Sequence, residues 1–150
     1  MLTIKVNAES SAPPERVLQA ARDFSPQRAK VWTNVKHKYL KVHESGEGFA
    51  DVTEGTWIVG LFWERSRYDW SQPGSVKATV IDSNVFEPGS TWEIRASPRN
   101  GGSAVEMTLN RNFRGGPKGM IGAAVNHTVG KLFWRSYLRH ALSVVEKQAT

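Results

Sequence analysis

The chain contains no cysteine. Disulfides, thiol nucleophiles and thiolate metal sites are thereby excluded. Long apolar runs are missing too: the longest covers residues 57–63, seven positions with a glycine among them, whereas a bilayer-crossing helix takes roughly 20. The opening residues, Met1-Leu2-Thr3-Ile4-Lys5-Val6, lack a basic stretch followed by an apolar one, so no signal peptide is read there and a cytoplasmic location is expected. His37, His43, His127 and His140 show no His-x-x-x-His spacing, and neither a metal nor another cofactor is expected. The Gly-x-Ser-x-Gly elbow of a serine hydrolase does not occur. Gly115-Gly116-Pro117-Lys118-Gly119 departs from the Walker phosphate loop and reads as a hinge into the helix that follows.

Acidic residues are the minority, 14 Asp plus Glu against 20 Lys plus Arg, for a formal charge of +6. An excess of that size raises nucleic acid and anionic lipid as partners. The basic residues are dispersed, however, with only mild clusters at 28–41 and 111–118, so neither nucleic acid nor integral membrane contact is expected. What the chain has in quantity is apolar bulk, 39% of residues, including six Trp and six Phe. Its 150 residues suit a single domain, 1–150, with one sizeable core. Monomer and homodimer both stay open.

Leu2, Ile4 and Val6 alternate with Thr3, Lys5 and Asn7, the period of a half-buried strand over 2–9. Pro13-Pro14-Glu15 then opens a short helix to about Arg22, with Val17, Leu18 and Ala21 on one face. Ser25-Pro26-Gln27 opens a second, ending near Trp32. From there β-branched and aromatic stretches between turn signals predict strands at 35–43, 48–58, 61–70, 75–82, 91–97 and 103–111, joined as antiparallel hairpins because the connections are too short for crossovers. A helix of about thirty residues, 118–147, closes the chain. Its apolar face shifts around Gly130: Ile121, Val125, Val129 and Leu132 share one side, and Phe133, Tyr137, Ala141, Val144 and Val145 nearly the opposite one. Either the helix bends at the glycine or its halves pack on different things, and the second is the expectation taken here.

One long helix and a meander of about seven strands bury their apolar faces most economically when the sheet curves around the helix. Strong curvature leaves space, so a cavity for a small apolar ligand is expected. This order of elements, with Ser11-Ala12-Pro13-Pro14-Glu15-Arg16-Val17 after the first strand and Phe133-Trp134-Arg135-Ser136-Tyr137-Leu138-Arg139-His140-Ala141-Leu142 near the end, resembles the START-like helix-grip (SRPBCC) superfamily. Within it the similarity is to the polyketide cyclase/dehydrase and lipid-transport branch. The resemblance covers nearly the whole chain and implies an α+β helix-grip fold: a curved seven-stranded antiparallel sheet wrapped around the C-terminal helix, with two short helices after the first strand. It also implies an internal hydrophobic cavity for lipids, polyketides or other aromatic compounds.

On the strand at 61–70, Phe62, Glu64, Ser66, Tyr68 and Trp70 point one way and are read as inward. Glu64 is then a carboxylate in an apolar interior, prepared for proton transfer, unless it lies at the rim or pairs with an arginine. Tyr68 and Trp70 offer flat faces with one polar handle each, and Trp57, Trp92 and Met107 continue an aromatic and thioether lining. Plain core packing is the competing reading for each. Arg95 and Arg111 are candidates for holding a ligand carboxylate or phenolate, although the outer face or a strand end is their commoner place. In the last helix, Met120, Ile121, Ala124 and Val125 are read at the cavity entrance. His127 fits a solvated helix face better than a catalytic base.

Two functions follow. The first is binding, or binding and transport, of a small hydrophobic, lipid-like or aromatic ligand in the cavity. The second is a polyketide cyclase or dehydratase, with Glu64 or Tyr68 assisting proton transfer.

Overall fold

In the computed structural model, which describes residues 1–58 and 60–148, the first alternating segment forms β1 (Leu2–Ser10), with Ile4 and Val6 buried and Thr3, Lys5 and Asn7 exposed. Pro13 precedes α1 (Pro14–Ala21), where Pro14 costs no hydrogen bond because the first-turn N–H groups are unpaired in any helix. Val17, Leu18 and Ala21 of α1 are buried as the apolar spacing requires. A single turn, α2 (Arg28–Val31), follows.

The predicted strand at 35–43 is a correction. Val35 is buried, Lys36 N–H donates to the Gly55 carbonyl, and His37–Tyr39 forms a short 3-10 helix. Strand β2 starts only at Lys41 and runs to Gly46. Pairing to β3 (Phe49–Trp57) covers Lys41 to Gly46 against Phe49 to Thr53; β3 runs on to Trp57, but the 3-10 turn takes His37–Tyr39 out of the ladder beside it. β2 is exposed throughout, carries a register shift between Val42 and Glu44, and turns into β3 through Glu47 and Gly48 alone.

The remaining strands are β4 (Leu61–Asp69), β5 (Ser75–Ser83), β6 (Thr91–Arg99) and β7 (Gly102–Arg111). Together they form one seven-stranded antiparallel sheet in the order β1-β7-β6-β5-β4-β3-β2. The β6–β7 turn places Asn100 and Gly101 at φ of 50° and 79°, the left-handed pair of a tight hairpin whose twist matches its strands.

Helix α3 (Pro117–Gln148) runs unbroken through Gly130, and its two halves have different surroundings, as the shifted apolar face predicts. The second half buries Trp134, Tyr137, Leu138, Ala141, Leu142 and Val145, and the helix packs on β1, α1 and α2. The first half buries only Gly119 and Gly130 and leaves Met120, Ile121, Val125, Val129 and Leu132 exposed. At its start the chain passes so close to itself that a Cβ on Gly119 would stand 1.7 Å from the Arg114 carbonyl oxygen. No helix among the described residues is long and apolar enough to cross a membrane.

The split along α3 has a measurable consequence. Leu138→Ala, at a fully buried position, is expected to cost about 2–5 kcal/mol, and Leu132→Ala, at a position 69% exposed, less than about 0.5 kcal/mol. Urea denaturation of the two variants checks this, and equal losses would contradict the described packing.

Candidate ligand-binding site

Between the sheet and the first half of α3 lies a cavity of about 330 Å³. Strand alternation supplies its floor: Glu54 and Thr56 from β3, Phe62, Glu64 and Tyr68 from β4, Trp92 from β6 and Arg111 from β7. Trp32 and Val35 close one end, and Gly122, Val125, Asn126 and Phe133 of α3 form the roof. Aromatic rings dominate the walls. Trp32 meets Trp92 edge to face at 5.4 Å, and Trp134 meets Tyr137 in the same manner at 5.0 Å. The rim is apolar and open to solvent, because Ile58, Ile121, Val125 and Phe133 line the cavity and are also exposed.

Four charged side chains reach this apolar space. Arg28 and Glu54 form a closed pair: Arg28 Nε donates to Glu54 Oε2 at 2.7 Å, with both side chains almost fully buried. The other Arg28 donors go to the Ala21 and Asp23 carbonyls at 3.1 Å and to Tyr68 Oη at 2.9 Å, while the Tyr68 hydroxyl donates to Glu54 Oε1. Burial alone would lower the Arg28 guanidinium, but the adjoining Glu54 carboxylate prevails and holds it above its ordinary value. Burial lifts the Tyr68 hydroxyl well above its ordinary value, so it remains a donor at neutral pH. Tyr137 is raised by burial in the same way and donates to Asn34 Oδ1.

The second pair is looser. Arg111 Nη1 stands 3.5 Å from Glu64 Oε2, and the Arg111 guanidinium lies over the Phe86 ring at 4.3 Å. Burial pushes Glu64 above its ordinary value, opposed by the Arg111 charge and reinforced by Glu54. The reinforcement follows from register, since Glu54 and Glu64 sit directly opposite one another in the β3–β4 ladder. Among the described residues no group of three or more His, Asp or Glu is placed to hold a metal ion.

No protein-family model and no curated protein matches this sequence. Solved structures do. Protein TTHA0849 from Thermus thermophilus superposes with a TM-score of 0.79 at 15% identity, over 99% of this chain and 100% of the other. The Zhui aromatase/cyclase from Streptomyces sp. R1128 does so at 0.79 and 13%, over 99% and 96%. A START superfamily protein from Mycobacterium smegmatis follows at 0.74 and 13%, over 99% of both chains. The chain has the START-like helix-grip fold. Its open seven-stranded antiparallel sheet and long C-terminal helix are those of its structural neighbours.

Of the residues singled out in the sequence, Phe62, Glu64, Tyr68, Trp92, Ile121 and Val125 line the cavity. Trp57, Trp70 and Met107 do not. Trp57 follows the inward-facing Thr56, so strand alternation turns it outward at the end of β3, where it is 64% exposed. Trp70 shares the parity of Tyr68 but lies past the end of β4, half-buried beside Phe24 at 6.5 Å between rings. Met107 points inward, yet into the solid core with Ile94 and Leu109. Arg95 lies on the outer face, paired with Glu93, and His127 is exposed. Sequence reasoning missed Arg28, Glu54 and Tyr137. The alternation Ala50, Val52, Glu54 was the available signal for one of them: it puts a carboxylate on the buried face of β3. Arg28 offered none, because its direction is set by contacts with carbonyls at the end of α1 and beyond it.

Glu54→Gln strands the Arg28 charge in a buried setting and is expected to cost about 3–5 kcal/mol, measured by urea denaturation. A loss under about 1 kcal/mol would show that Arg28 is not held as described. Glu64 predicts a pH dependence. Its folded-state value lies above the ordinary 4.5, so the stability it contributes is fully present below pH 4.5 and is lost as pH rises through the raised value. The stability of the wild type relative to Glu64→Gln is therefore expected to fall with increasing pH above about 4.5. A difference that stays flat or grows would contradict the burial of this carboxylate.

Proposed function

We propose that this protein binds a small hydrophobic ligand, aromatic or lipid-like, in the cavity between the sheet and the first half of α3, and carries it shielded from water. The carrying observation is the conjunction of an unfilled, aromatic-walled space with an exposed apolar rim. A space of about 330 Å³ is of ligand size, and burying apolar ligand surface contributes roughly 25 cal/mol per Å² before ordering costs. The fold similarity to a START superfamily protein and to an aromatase/cyclase supports the same reading.

A second reading, a polyketide cyclase or dehydratase, is favoured by one observation. Glu64 lines the cavity beside Arg111, and burial raises it above its ordinary value against the Arg111 charge, so an acid–base group and a cation stand together where a carbonyl substrate would lie.

Titration with the neutral fluorophore N-phenyl-1-naphthylamine tests the binding site common to both readings. The wild type is expected to take up the dye at one saturable site. Val125→Trp, which adds bulk at the rim of the cavity, should weaken that uptake by about tenfold or more, roughly 1.4 kcal/mol, with an unchanged melting temperature. Glu64→Gln should keep it. Failure of the wild type to bind the dye, or indifference to Val125→Trp, would overturn the proposal.

A further inference from the structure

The two ion pairs of the cavity differ in what they leave over. Arg28 and Glu54 exhaust each other together with Tyr68 and the Ala21 and Asp23 carbonyls. Arg111 and Glu64 do not: Arg111 Nε and Glu64 Oε2 are both buried atoms without a hydrogen-bond partner. The Arg111 side chain is only 7% exposed, so this unused donor is held away from bulk solvent, and the guanidinium carbon lies 4.3 Å from the centre of the Phe86 ring. Both side chains line the cavity. A desolvated guanidinium with an unpartnered N–H matches an oxyanion better than any neutral acceptor.

Charge balance selects the same ligand. The groups facing Glu64 are Arg111 from β7, Arg28 from α2, Glu54 opposite it on β3, Tyr68 on its own strand and Tyr137 from α3. Glu54 neutralises Arg28, and the tyrosines are neutral. If Glu64 carries its proton, Arg111 is left as one uncompensated cation in an apolar cavity. One ligand oxyanion balances it, and a protonated Glu64 can donate its O–H to that oxyanion as well.

We propose that Arg111 and Glu64 form a head-group subsite, so that the ligand is an apolar, aromatic-sized molecule bearing an acidic oxygen, a carboxylate or a phenol, bound together with proton uptake on Glu64. The inference rests on the cavity being the binding site proposed above, and adds the chemistry of the ligand's polar end. Arg111 supplies the charge-assisted hydrogen bonds. Without ligand the Arg111 charge opposes the effect of burial on Glu64 and holds it as a carboxylate partner; an incoming oxyanion engages Arg111 and adds its own charge to burial and the Glu54 carboxylate, so Glu64 takes up a proton on binding.

Calorimetric titration of the wild type with 2-naphthoate, 2-naphthol and the neutral 2-naphthamide tests this. At least one of the two acids is expected to bind about tenfold or more tighter than the amide. The tighter of the two tells a carboxylate from a phenolic oxygen. In Arg111→Met that advantage should vanish, and in Arg111→Lys it should return in part. For 2-naphthoate, repeating the titration in buffers of different ionisation enthalpy should reveal uptake approaching one proton per ligand, absent in Glu64→Gln. Should the amide bind as tightly as both acids, the head-group subsite is wrong while the cavity reading stands. Tight binding of 2-naphthoate without proton uptake would remove Glu64 from it. If no naphthalene probe binds and N-phenyl-1-naphthylamine does not either, it is the cavity reading that fails.

Discussion

Along its first half α3 turns Gly122, Asn126 and Gly130 toward the sheet, and along its second half Trp134, Tyr137, Leu138 and Leu142. A helix of 32 residues reaches roughly 48 Å at 1.5 Å per residue, longer than any strand beneath it. Large side chains fill the curve of the sheet under one half only. Small ones under the other leave a volume that the strands cannot close, because their inward residues are already committed by alternation. The cavity, its walls of aromatic rings and its open rim follow from where the bulk stops along one helix.

An apolar space that admits charge has to manage it. The closed pair does so completely: Arg28 reaches across from α2 and ties that single turn to β3 and to two carbonyls at and beyond the end of α1. It thereby joins the short helices to the sheet at the end of the cavity. The open pair stands at the same depth on β4 and β7. Both depend on one register, the alignment of Glu54 with Glu64, which makes each carboxylate part of the other's electrostatic setting. A one-residue slip of β4 would turn Glu64 outward and remove the second pair entirely.

Much of this was legible in the residue order. Alternation in 2–9 and 61–70 identified the inward faces of β1 and β4, and through them Phe62, Glu64 and Tyr68. Prolines marked the helix starts. The shift of apolar face about Gly130 anticipated that α3 would serve two environments. Illegible were features that depend on where an element ends rather than on its period. Trp70 has the right parity but lies past the end of β4, and the segment 35–40, read as the start of a strand, coils into a 3-10 turn at His37–Tyr39 before β2 begins. Met107 faces inward as its position demands. Whether inward means core or cavity is decided by the helix overhead, which lies far away in the chain. Arg28 was invisible for the same reason: its partners are on β3, β4 and at the end of α1, and no local pattern announces them.

The exposure of β2 carries a further meaning. It is one of the two edge strands of the sheet, β1 being the other, with one side of its backbone outside the ladder, and such edges invite other chains to add themselves. Here the edge is six residues long, holds Lys41 and Glu44, and is kinked where its register slips by His43. Of the two margins of a sheet kept open so that a helix can close over it, this one is a short, charged, irregular border, a form that discourages the addition of a further strand without any covering element.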